Sequence, residues 1–162
     1  MLQDYRDETG SDDRVLSIEM FEAVGMEYWD TFAANLNRLL APGGVAGMQI
    51  ITMDEPGFES YSRNPDFIQR YIFPGGMLPT VTHLHELMDR HGMKLTQIFR
   101  FGDDYARTLN IWRERFNRQW DEIQPLGFDE RFRRMWNYYL CYCITGFQRG
   151  ITDVVQVRIE KA

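Results

Sequence analysis

Arg14-Val15-Leu16-Ser17-Ile18 follows the turn-rich Thr9-Gly10-Ser11-Asp12-Asp13 and reads as a short buried strand. Downstream, Tyr28, Phe32, Leu36, Leu39 and Leu40 recur at helical spacing and predict a helix over Tyr28–Leu40. Ala41-Pro42-Gly43-Gly44 is expected to stop that helix, and Val45–Thr52 reads as the next strand. A strand, a helix and a strand with short connections are the signature of a parallel α/β sheet.

Beyond this unit the chain turns irregular. Met53–Pro79 holds four prolines and three glycines and reads as a long loop, while its aromatics (Phe58, Tyr61, Phe67, Tyr71, Phe73) predict that it is ordered and packed. Thr80 is a plausible N-cap for a helix through Val81, Leu84, Leu87 and Met88, ended by His91-Gly92. Lys94–Phe101 reads as a third strand. Two aromatic stripes follow, Tyr105, Leu109, Trp112, Phe116, Trp120 and, after a turn at Gly127, Phe132, Met135, Trp136, Tyr139, Leu140, Cys143, Phe147; each is most simply the other's packing surface. Gln148–Gly150 breaks the second helix and Val154–Ile159 closes the chain as a strand.

Composition narrows the function classes. With 162 residues the chain suffices for one domain with one core. A formal charge of −6 argues against nucleic-acid binding, which needs a basic face. The charge is uneven: nine acids against Arg6 and Arg14 in residues 1–30, but eight arginines against six acids in residues 104–149. That second half could meet an anionic membrane surface, or be a solvated helix face. No apolar run approaches the roughly 20 residues of a membrane span. The polar, acidic start is unlike a signal peptide, which points to a cytoplasmic protein, peripheral at most to the inner face of the membrane. Cys141 and Cys143, and likewise His83 and His85, stand two apart on predicted helices, so neither pair is placed to share a metal, and none is expected.

Particular residues carry a family resemblance: Ser17-Ile18-Glu19-Met20-Phe21-Glu22-Ala23-Val24-Gly25, the Pro42-Gly43-Gly44 turn and Tyr71-Ile72-Phe73-Pro74-Gly75-Gly76. Asp104-Tyr105 with Thr108-Leu109 and Trp112, and Arg131-Phe132-Arg133-Arg134-Met135-Trp136-Asn137-Tyr138-Tyr139-Leu140, follow in the same order. Across essentially the whole chain the sequence resembles the second half of the cyclopropane-fatty-acyl-phospholipid synthases, lipid methyltransferases that use S-adenosylmethionine. The resemblance implies the C-terminal half of a Rossmann-like class I methyltransferase: a mostly parallel α/β sheet whose last strand runs antiparallel, with inserted helices. Residues 1–162 would form one partial domain, and residues 103–150 a helical insertion that helps enclose an acyl chain.

The resemblance also implies a chemistry. Methyl transfer from a sulfonium to an alkene builds positive charge on the substrate, and closing a cyclopropane then requires loss of a proton. In the family a bound bicarbonate is the base. Glu22 matches its glutamate, Tyr105 its tyrosine, and Gln49 and Ile51 stand at the end of the fifth strand of the family's sheet. Gln49 departs from a histidine of several members and cannot take up a proton near neutral pH; Ala23 likewise replaces a common histidine. Leu2 and Gln3 match the end that touches the adenine of S-adenosylmethionine.

The family's glycine-rich cofactor loop finds no counterpart here, so the main cofactor contacts are expected from elsewhere. Val15–Ile18 would then be an apolar sheet edge, expected to pair with a complementary N-terminal half or with a second copy. The implied function is methyl transfer to the double bond of an unsaturated phospholipid acyl chain. A relative that adds a methyl branch, and a non-catalytic remnant or lipid- or protein-interaction module, are the alternatives.

Overall fold

The structure, a computed structural model, describes residues 3–161. It contains two compact units, one made of the chain up to Arg100 together with Val154 onward, the other of Phe101–Asp153. The first carries a four-stranded sheet of β1 (Asp12–Ile18), β2 (Leu40–Met53), β3 (Met93–Arg100) and β4 (Thr152–Lys161), in the order β1-β2-β4-β3. β1 and β2 run parallel, with Arg14 opposite Val45 and Ile18 opposite Gln49. β4 runs antiparallel to β3, with Ile98 opposite Val157. The expected sheet, with its antiparallel last strand, is therefore present.

The helices α1 (Trp29–Leu39), α2 (Glu55–Arg63), α3 (Phe67–Tyr71) and α4 (Val81–Arg90) belong to the same unit. Alternation along β2 buries Ala46, Met48 and Ile50, which join Val155, Val157 and Ile159 of β4 against Phe32, Ala33 and Leu36 of α1 and Leu84, Leu87 and Met88 of α4. Burying each such large side chain contributes about 1.5–3 kcal/mol, and the helical period of α1 and α4 faces them all to this side. Thr80 caps α4 as expected, its hydroxyl accepting the His83 N–H. Lys161 Nζ donates to the carbonyls of Asn37 and Leu40, both at 2.7 Å, and so ties the end of β4 to the C-terminus of α1.

The expectations for two connecting segments are corrected. The Ala41–Gly44 segment does not separate helix from strand. β2 begins at Leu40, and the register slips between the Asp12–Leu40 and Arg14–Val45 pairs, so the segment is a bulge inside the strand. Gly43 takes φ +71°, and a Cβ on Gly44 would lie 2.8 Å from the Ala41 carbonyl oxygen, which is why the bulge is built of glycine. The stretch read as a loop, Met53–Pro79, is ordered but largely helical. Pro56 sits in the first turn of α2, and Asp66 and Gln69 form a reciprocal capping box on α3.

β1 lies at the sheet edge, and Leu16 and Ile18, expected to be buried, are 79% and 62% exposed; Phe99 of β3 is 63% exposed. These side chains, with Gly47, Gln49, Gln97, Gln156 and Arg158, line an open trough of about 710 Å³.

In the second unit α5 (Gly102–Arg118), α6 (Trp120–Ile123) and α7 (Glu130–Gln148) pack through Phe116 on Phe132 and Tyr105 on Phe147. Asn117 and Asn137 exchange side-chain hydrogen bonds between α5 and α7. The stripes thus pack on each other in part. Trp112 of the first, at 51% exposed, faces solvent, as does Tyr138 beside the second. Among the described residues no helix is long and apolar enough to cross a membrane.

Candidate active site

The site starts from one buried ring. Phe21, fully buried, stacks on Trp29 at 5.5 Å and meets Phe32 edge-on at 5.0 Å. This pins the short 3₁₀ turn Phe21–Ala23 beyond the C-terminal end of β1. The next side chain, Glu22, is directed onto β2, where its Oε1 accepts the Ile51 backbone N–H at 2.6 Å. The Glu22 carbonyl accepts the N–H of Met77 at 2.9 Å. A Cβ on Gly76 would come within 3.5 Å of that carbonyl and 3.1 Å of the Phe73 carbonyl, so the Gly75-Gly76 turn lies close against the Glu22 backbone. Gln69 holds the turn, donating to the Gly76 carbonyl at 3.1 Å. The motif segments 17–25 and 71–76 thus meet at Glu22.

Burial pushes the Glu22 carboxyl above the usual glutamate range; the Ile51 N–H pulls the other way, and the charge of Glu19 adds to the rise. Its second oxygen, Oε2, is sealed from solvent and has no hydrogen-bond partner among the described residues. In its protonated form such a carboxyl offers one O–H donor beside the oxygen that accepts from Ile51.

Glu19, where the chain leaves β1, has φ +50°, the one positive φ among the described non-glycine residues. Such a conformation costs about 1–2 kcal/mol and must be held. Its N–H donates to the Gln49 carbonyl at 2.9 Å. Gln49 Nε2 donates back to Glu19 Oε1 at 2.8 Å, and Gln156 Nε2 donates to Gln49 Oε1 at 3.0 Å. Glu19 stands inside the 17–25 motif without a role of its own assigned there, and Gln156 belongs to no motif; a polar residue at the end of an apolar strand is the signal for Glu19.

Of the residues expected from sequence, the structure brings Glu22, Ile51 and Gln49 together at the C-terminal ends of β1 and β2, where ligands bind in open α/β sheets. Tyr105 lies on α5 of the helical unit, packed on Phe147 at 5.2 Å and on Phe101 at 6.4 Å. Gln3 is exposed, and Leu2 falls outside the described residues. Neither Gly43, in its bulge, nor Gly75, in its turn, heads a helix after a strand. What the site leaves open is one polar atom, the buried Oε2 of Glu22, which has no hydrogen-bond partner among the described residues. Among the described residues no three His, Cys, Asp or Glu side chains are grouped to hold a metal.

The strand order, the antiparallel last strand and the site at the strand ends define the C-terminal part of an S-adenosylmethionine-dependent methyltransferase fold. The chain belongs to the mycolic acid cyclopropane synthetase family, whose model matches residues 1–157. It is 42% identical over 156 residues to tuberculostearic acid methyltransferase UfaA1 of Mycobacterium tuberculosis (strain ATCC 25618 / H37Rv), covering 96% of this chain and 36% of that protein. It is 39% identical over 158 residues to cyclopropane-fatty-acyl-phospholipid synthase of Escherichia coli (strain K12), covering 97% and 40%. The crystal structure of mycolic acid cyclopropane synthase CmaA1 complexed with SAH and CTAB superimposes with a TM-score of 0.89 at 28% identity, covering 99% of this chain and 59% of that one. The chain therefore spans less than two thirds of the length of these relatives.

Proposed function

We propose that this chain is the C-terminal half of a lipid methyltransferase that modifies the double bond of an unsaturated phospholipid acyl chain, and that it works with a complementary N-terminal half supplying the S-adenosylmethionine loop. The observation that supports this most directly is Glu22: a carboxyl anchored at one oxygen by Ile51 N–H and sealed without a partner at the other. Methylating an alkene leaves a carbocation, and ring closure forms a new C–C bond as a C–H bond of the added methyl breaks. The proton so released needs an acceptor in a low-polarity site. Bicarbonate, held at Glu22, would supply that basicity. Burial pushes the Glu22 carboxyl above the usual glutamate range, and in its protonated form it would donate from Oε2 to the anion and orient it; the Ile51 N–H fixes the carboxyl, and Gln49 stands two residues before Ile51 on the same strand end. The exposed rings of the helical unit, Trp112, Tyr138 and Tyr142, suit contact with acyl chains and with a membrane surface from the cytoplasmic side.

The open trough supports the need for a partner, because a face carrying Leu16, Ile18 and Phe99 is ordinarily covered. The same face favours the second reading, a non-catalytic interaction module of the family, which would bind its partner without turning over lipid; a second copy joined through the Val15–Ile18 edge is the other occupant. The test is calorimetric titration of the chain with S-adenosylmethionine, alone and mixed with a separately expressed N-terminal half of a relative, followed by lipid methylation. Binding and methylation confined to the mixture are expected. Binding by the chain alone would refute the division of labour, and assembly without methylation would establish the interaction module.

A further inference from the structure

We propose that Gln49 serves this site as a positioning residue, not as a ligand: with Glu19 and Gln156 it forms a clamp that holds the left-handed turn after β1 and so aims Glu22 at Ile51. This rests on the assignment of Glu22 to an anion site made above. Residues 19 and 49 are joined twice, main chain to main chain at 2.9 Å and side chain to side chain at 2.8 Å. The carboxamide of Gln49 is also gripped from the far side, by Gln156 of β4 at 3.0 Å. Its oxygen is engaged by a donor, and one of its two N–H groups is given to a carboxylate, which itself repels a bound anion. Gln49 is therefore oriented away from ligand duty.

What it secures is geometry. Glu19 is the residue that holds the positive φ, and three positions later Glu22 must reach Ile51, two residues beyond Gln49 on β2. If the clamp opens, Glu19 can relax to an ordinary backbone conformation, the turn swings, and the sealed Oε2 meets water. The charged group acting on Glu22 is Glu19, so the clamp also fixes how near that charge stands.

The experiment is a pH titration of the ¹⁵N-labelled full chain, followed at the Ile51 amide, whose proton reports the protonation of its acceptor Glu22. In the native chain the Ile51 amide should titrate with a midpoint above the ordinary glutamate value, and Glu22→Gln should abolish that response. Gln49→Met keeps the length of the side chain and loses both bonds; it should lower the midpoint toward the ordinary value and move the Ile51 amide upfield. Gln156→Met, which removes the outer grip alone, should do the same to a smaller extent, and it decides the matter should Gln49→Met not fold. A contribution to stability alone would change the melting temperature and leave the native-state titration untouched. Unchanged Ile51 curves in both methionine variants would overturn the clamp while leaving the Glu22 assignment standing. A native Ile51 amide indifferent to Glu22→Gln would overturn both.

Discussion

Glu22→Gln removes a charge and almost no volume, which makes it a clean probe of the site. Oε1 remains to accept the Ile51 N–H, now as a neutral bond, at a loss of about 1 kcal/mol. Against this stands relief of the sealed Oε2, a partnerless oxygen whose burial costs about 3 kcal/mol when charged and about 1–2 kcal/mol as a neutral amide. The balance predicts a variant more stable than the native chain by at most about 1 kcal/mol once the carboxyl is ionised. The pH dependence fixes the sign. Burial raises the folded pKa of Glu22 above its unfolded value, so the folded state holds this proton more tightly. The stability the group contributes is fully present below the ordinary glutamate value and is lost as pH rises through the raised one. The gap between the two proteins should therefore be small in acid and open, in favour of Glu22→Gln, on the alkaline side. Glu22→Ala, which also orphans the Ile51 N–H, should fall below Glu22→Gln by about 1–3 kcal/mol. Urea melts by circular dichroism across this range are the assay. A native chain that gains on Glu22→Gln as pH rises would mean a satisfied carboxylate, and with it no anion site at Glu22.

Other outcomes test the surroundings. Leu16→Asp with Ile18→Lys changes side chains that are 79% and 62% exposed, so each should alter stability by less than about 0.5 kcal/mol while shifting sedimentation equilibrium toward monomer; an unchanged mass distribution counts against pairing through this edge. Gly43→Ala has open space but a φ of +71° and should cost about 1 kcal/mol. Gly44→Ala drives a Cβ to 2.8 Å from a backbone oxygen and should cost more, about 2 kcal/mol, in the same urea melts; equal costs would mean that the bulge is not what confines these glycines. Lys161→Met leaves the Asn37 and Leu40 carbonyls without their cation; a loss of about 1–3 kcal/mol is expected, with faster amide exchange in the last turn of α1, and unaltered exchange would refute the capping role.

Legibility followed the range of the interactions. α1, α4, α5 and α7 announce themselves because a buried helix face repeats within a few residues, and Thr80 caps α4 through a bond spanning three positions. α2 and α3 were hidden by weak local signals. α2 carries Pro56, Gly57 and two serines in nine residues, and α3 is one turn held by Asp66 and Gln69. Their marks were nonetheless present, a proline at a helix start and an acid three residues before a glutamine. The bulge at Ala41–Gly44 misled because Pro-Gly-Gly ordinarily ends elements, whereas here the parallel pairing of β1 carries the strand through it.

By itself the sequence determined the fold class, the family and the identity of Glu22, Gln49 and Ile51 as residues of interest, since motifs and periodicity are properties of neighbours along the chain. The tertiary structure alone decided that Leu16 and Ile18 face outward, because strand alternation names two faces without saying which one the helices cover. It alone joined Gln49 to Gln156 across 107 positions and sealed one oxygen of Glu22 while bonding the other. Hydrogen bonds and burial act through space, and the partners they select are fixed only once β4 has entered the sheet beside β2 and Phe21 has found the core.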